Sequence, residues 1–113
     1  MPARHSPGEL LLAALVFTSQ AGAKNRPVMV IRDGGDDDLL VAPVSGQAVR
    51  VAYDVMLNDW QKAGLRLPSV VRVEKLATIE KATVRRSLGR ASAADWARVK
   101  ESLTQLCEEI LGG

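Results

Sequence analysis

For its first ninety residues the chain alternates short apolar runs with polar punctuation, and then its period changes. Leu10–Phe17 is an apolar run opened by Pro7-Gly8, and Pro27–Ile31 (PVMVI) is a second run, rich in β-branched residues. Asp33-Gly34-Gly35-Asp36 predicts a turn and Leu39–Val44 (LLVAPV) a third strand. Val49, Val51 and Tyr53 alternate with polar or small neighbours, which predicts a half-buried fourth strand. Asn58–Ala63 predicts one or two helical turns, with Asn58 or Asp59 as N-cap, Gly64 just past the end and Pro68 preventing continuation. Ser69–Ile79 contains the next strand, and Thr83–Arg90 returns as another before a break at Gly89.

Beyond residue 91 the period becomes helical. Ser92-Ala93-Ala94-Asp95 is a capping-box-like start. Trp96, Val99, Leu103, Leu106 and Ile110 then form one apolar stripe, and Gly112 supplies the stop. Five or six short antiparallel strands plus one amphipathic helix predict a mainly β fold, a small barrel with the C-terminal helix packed on it. No repeat or low-complexity linker divides the chain, so residues 1–113 form a single domain, with residues 1–6 as a flexible stub.

Composition narrows the chemistry. The chain is 47% hydrophobic and 25% charged, an ordinary globular mix. Its aromatics are Phe17, Tyr53, Trp60 and Trp96, so the core must be aliphatic. One cysteine (Cys107) and one histidine (His5) argue against a disulfide framework, a Cys-based zinc site and a Ser-His-Asp hydrolase. Asp36-Asp37-Asp38 follows two glycines and reads as a solvated hairpin tip rather than a metal site, because adjacent strand residues face opposite ways. Cys107 reads as a small buried or half-buried hydrophobe, Trp96 as core, and Trp60 as either core or a base-stacking platform.

Charge is unevenly placed within a net +2. Residues 62–90 carry eight Lys/Arg against two Asp/Glu, between flanks that are each net acidic. A basic middle is either a polyanion footprint or a solvated face. Arg4, the run Leu10–Phe17 and Ala21-Gly22-Ala23 imitate a short secretory leader, but Pro7-Gly8-Glu9 interrupts it and the positive region is one residue. The run reads instead as a buried strand, too short to span a bilayer as a helix, with a cytoplasmic location expected. In Arg72-Val73-Glu74 a strand would put Arg72 and Glu74 on one face, as a salt bridge or as an acid/base and charge-stabilising pair.

Four segments in order resemble the MazF/PemK family of bacterial toxin ribonucleases. Pro7-Gly8-Glu9-Leu10 is similar to the family's opening turn, and Lys24-Asn25-Arg26-Pro27-Val28-Met29-Val30-Ile31 to its x-x-R-P-V-L-V-I strand. Val41-Ala42-Pro43-Val44-Ser45 resembles V-x-P-[VI]-[TS]. Ser69 through Lys81 resembles S-V-[VI]-x-x-[DE]-x-x-x-T-[IL]-D-K, with Leu88-Gly89, Ser92 and the last helix completing the order. Ala77 stands where the family often has Arg, Glu74 and Glu80 where one branch has Asp, and the Thr18–Asn25 loop is short, with Lys24 its only charge.

The resemblance implies a Src-homology-3-like barrel of the MazF/PemK/CcdB type and, usually, a homodimer. It also implies cleavage of single-stranded RNA such as messenger RNA without a metal or other cofactor, and a cognate antitoxin whose disordered tail covers the groove. It places Arg26 on the catalytic arginine, Ser45 on the catalytic Thr/Ser, and Arg72 and Glu74 on an arginine-x-carboxylate pair. Glu74 is then the candidate base, Arg26 the phosphate clamp and Arg72 a charge stabiliser. Lys24, Arg26, Lys75, Arg85 and Arg86 are the expected RNA-binding cations. Two alternatives stay open: a same-fold toxin acting on a protein target of the gyrase kind, and a barrel that binds RNA without cutting it.

Overall fold

Both faces of the first three strands are buried, which is why their sequences are apolar runs rather than alternating patterns. The computed structural model describes residues 3–16 and 23–112. Strand β1 (Glu9–Val16) pairs antiparallel with β2 (Ala23–Asp33), which pairs with β3 (Asp38–Ser45). Leu10, Met29 and Ala42 lie on one face, in a cluster with Val71, Val73 and Val99. Leu11, Val28 and Val41 lie on the other, with Ile79 and Val84 packed against them. Phe17 and most of the Thr18–Asn25 loop fall outside the described residues.

Four shorter strands complete the sheet: β4 (Asp54–Met56), β5 (Val70–Arg72), β6 (Ala77–Glu80) and β7 (Val84–Arg90). The order is β4-β5-β3-β2-β1-β7, with β6 also on β3. The outer edge of β3 is therefore shared: Leu39–Val41 pair with β6, and Val44 and Ser45 with β5. Among the described residues β4 and β7 do not pair, so the sheet curls but is not closed, a correction to the expected barrel. The fold is otherwise as expected, mainly antiparallel β with one C-terminal helix, α1 (Ala93–Ile110).

Three further expectations are corrected. Val49 and Val51 are exposed in a loop, and the fourth strand begins only at Asp54. The cause is local: the Asp54 carboxylate accepts the N–H groups of Arg50 at 2.8 Å and Val51 at 3.3 Å, so those amides serve a turn instead of a ladder. The stretch after Ser69 is not one strand, because a 3₁₀ turn at Val73–Lys75 separates β5 from β6. Gly89 lies inside β7 rather than ending it.

Helix α1 starts where its capping sequence predicts, with Ser92 Oγ accepting from Asp95 N at 3.1 Å. The Asp95 carboxylate does not reach back to the cap. It accepts the N–H groups of Asn58 at 3.1 Å and Asp59 at 2.9 Å, tying the helix to the turns at 58–64. Trp96, Val99, Leu103 and Leu106 pack on the first core cluster, whereas Ile110 is exposed past the sheet's rim, and Cys107 is exposed rather than half-buried.

Residues 58–64 form successive turns without an assigned helix and end at Gly64, φ +87°, as the C′ reading expects. Gly64 and Gly89 touch through their backbones: a Cβ on Gly64 would sit 1.9 Å from Leu88 O, and one on Gly89 2.5 Å from Ala63 O. Gly64→Ala combines the positive φ with that clash, so it should lower unfolding free energy by about 2–4 kcal/mol in a urea titration. A change within ~0.5 kcal/mol would contradict the close approach.

Candidate active site

The β2–β3 ladder stops at Val28↔Pro43. Pro27 and Pro43 carry no N–H to extend it, so the two strands part at their Arg26 and Ser45 ends. Where the strands part, a groove of about 760 Å³ opens. Arg26, Ser45 and Gln47 line it, with Arg66 and Leu67 from the loop after Gly64 and Arg86 from β7. Among the described residues, every charged side chain in that lining is an arginine. The rest is mostly aliphatic, a low-dielectric wall that strengthens the pull of the guanidinium groups on an anion.

Arg26 and Arg86 are exposed and Ser45 is half-buried. Ser45 Oγ accepts from Gln47 N at 3.1 Å, which fixes the oxygen and leaves its O–H to donate. The leucine at 67 closes the wall beside Ser45, packing where a Cβ on Gly46 would sit. Arg85 does not line the groove, since neighbouring residues of a strand face opposite ways.

Arg72 and Glu74 are not brought to this groove, nor to each other. Arg72 ends β5 and Glu74 stands exposed in the following 3₁₀ turn, so the strand spacing that would have aligned them is broken. Arg72 is instead ion-paired with Asp54 and donates to Ala48 O at 3.2 Å. Asp54 is buried, with 1% of its side chain exposed, and Arg72 is half-buried, with 11% exposed. Lys24 and Lys75 are exposed outside the groove lining. Arg66 and Gln47 were not singled out in the sequence, although Arg66 belongs to its basic middle. Among the described residues no group of three His, Cys, Asp or Glu side chains could hold a metal ion, and no helix is long and apolar enough to cross a membrane.

Three carboxylates titrate below the usual range. For Asp54 burial pushes upward, but the Arg50 and Val51 N–H groups and the Arg72 charge outweigh it. Asp95 likewise overcomes burial through the Asp59 N–H, Arg98 and the Asn58 N–H. Asp33 is lowered by the N–H groups of His5 and Gly35 and by Lys81 at 3.0 Å.

By sequence, residues 6–107 match the profile of the family described as PemK-like, MazF-like toxin of type II toxin-antitoxin system. No curated protein sequence matches the chain. Among solved structures the fold is similar to Mycobacterium tuberculosis toxin MazF-mt6, at 22% identity and TM-score 0.73 over 88% of this chain and 96% of that one. It is similar to MazF from Deinococcus radiodurans, at 25% identity and TM-score 0.70 over 91% and 96%. A mycobacterial endoribonuclease in complex with its cognate antitoxin superposes at TM-score 0.73 with 12% identity, over 92% and 95%.

Because the three folded-state carboxylates bind protons less readily than their unfolded counterparts, acid favours unfolding. The urea midpoint should be flat from pH 7 to about 5 and fall below about pH 4, as these groups protonate on unfolding. In Asp54→Asn that fall should be shallower; a midpoint that rises on acidification would contradict the assignment.

Proposed function

Since the chain belongs to the PemK-like, MazF-like toxin family of type II toxin–antitoxin systems, we propose that it is a ribonuclease toxin that cuts single-stranded RNA in the arginine-lined groove. The observation that carries this reading is that Arg26 and Ser45 line one groove where the β2–β3 ladder ends, a groove whose charged lining, among the described residues, is all arginine. RNA can supply its own nucleophile. The ribose 2′-O attacks the adjacent phosphorus, the bond to the 5′-oxygen breaks, and a 2′,3′-cyclic phosphate and a 5′-OH end result.

That reaction needs negative charge on the pentavalent phosphate to be stabilised. The planar guanidinium of Arg26 bonds two phosphate oxygens at once. Ser45, its oxygen held by the Gln47 N–H, donates its proton to a non-bridging oxygen. Arg66 and Arg86 hold flanking phosphates, which position the strand without reading its sequence. Among the described residues no carboxylate or imidazole lines the groove. The 2′-OH proton therefore leaves to hydroxide or to a phosphate oxygen, the departing 5′-oxygen takes its proton from water, and Glu74 lies outside the reaction.

The same cationic groove suits an acidic, extended antitoxin segment. A complex between an endoribonuclease and its cognate antitoxin is among the similar structures, and we infer such a partner here. A second copy related by a two-fold axis would lengthen the cationic strip, and messenger RNA as substrate sets the place of action in the cytoplasm.

Arg26→Ala should lower kcat/KM on a single-stranded RNA by about 10³-fold and also weaken binding, whereas Ser45→Ala should lower kcat by ~10²-fold with KM little changed. Full turnover in Arg26→Ala would end this reading. The logarithm of the rate should rise with pH from 5 to 8 without a carboxylate inflection, and Glu74→Gln should track the parent. A loss of about 10²-fold in Glu74→Gln would restore Glu74 as the base.

A further inference from the structure

Four hydrogen-bonded steps join Arg72 to the groove it does not line. Arg72 pairs with Asp54 and donates to Ala48 O at 3.2 Å. Asp54 Oδ2 accepts the N–H groups of Arg50 at 2.8 Å and Val51 at 3.3 Å. The Arg50 guanidinium donates to Gln47 Oε1, and Gln47 N donates to Ser45 Oγ at 3.1 Å. Residues 47–51 have no strand partner among the described residues and are all exposed. Their conformation is held by the Arg72–Asp54 pair from one side and by Ser45 from the other.

We propose that Arg72 is a positioning residue: with Asp54 it clamps the 47–51 loop, and through Gln47 it holds the Ser45 hydroxyl in place for the reacting phosphate. The inference rests on the ribonuclease reading for its catalytic half. Its structural half, the clamp, stands on the contacts alone. The fork of the guanidinium is what the clamp requires, because one arm meets the Asp54 carboxylate while the other meets the Ala48 carbonyl. A lysine would keep the ion pair as a point charge and give up the second arm. An arginine-x-carboxylate spacing in the sequence thus marks a loop anchor whose acidic partner is Asp54, 18 residues upstream, rather than Glu74.

Arg72→Lys separates the roles, since it retains the charge beside Asp54 and with it the fold. The melting temperature should stay within a few degrees of the parent. The Gln47 and Arg50 amides should exchange hydrogen about tenfold faster than in the parent, while amides of β2 do not change. On single-stranded RNA kcat should fall about tenfold with KM nearly constant, and the rate–pH profile should keep the parent's shape. Parent-like exchange at Gln47 and Arg50 would overturn the clamp whatever the activity. Faster exchange with an undiminished kcat would overturn the catalytic half. If Arg72→Lys fails to fold, Asp54→Asn carries the same exchange test, because it keeps the shape and weakens the ionic hold on the loop. A parent chain that cuts no RNA would sink the ribonuclease reading and the catalytic half together, and the exchange result would still decide the clamp.

Discussion

Strand β2 is paired along both edges and buried on both faces over Val28–Val30, and the rest of the molecule takes its place from that constraint. A strand so enclosed cannot slip, because a one-residue shift would exchange the residues of the two core clusters and bury the wrong ones. β1 and β3 are fixed beside it, β7 beside β1, and β5 and β6 on the far edge of β3. The groove follows from where the enclosure ends. Two prolines stop the ladder, the strands part, and Arg26 and Ser45 are left lining the groove that opens there.

The second wall of that groove is set at a distance. Asp95 ties the helix to the turns at 58–64, and the Gly64–Gly89 contact ties those turns to β7. Arg66 and Leu67 lie two and three residues after Gly64, so their position over the groove is inherited from two backbone contacts and one buried carboxylate. Helix and groove are therefore parts of one mechanical unit, although α1 contributes no side chain to the groove lining.

Much of this is legible in the sequence, and the exceptions have physical causes. Strands buried on both faces announce themselves as apolar runs, so β1, β2 and β3 are found within a residue or two, apart from the polar ends of β2. The helix is equally plain, because Ser92 caps it and its stripe has one period. Val49, Val51 and Tyr53 mislead because alternation alone cannot show that Asp54 has captured the amides of Arg50 and Val51. Arg72 and Glu74 mislead likewise, since i, i+2 spacing places two residues on one face only if the strand continues through both. Closure of the sheet depends on whether β4 and β7 meet, which no local pattern encodes. Arg26 and Ser45 could be named from their segments, whereas Arg66 and Gln47 enter the groove through loops whose course only tertiary contacts decide.

In the proposed reaction, charge stabilisation by Arg26, assisted by Ser45, lets an RNA 2′-OH cut its own backbone. Mapping both ends of the products from a defined single-stranded RNA, with EDTA present, tests it most directly. Cutting should be undiminished, with 2′,3′-cyclic phosphate on one fragment and 5′-OH on the other. Fragments ending in 3′-OH and 5′-phosphate, or a requirement for added divalent metal, would contradict it.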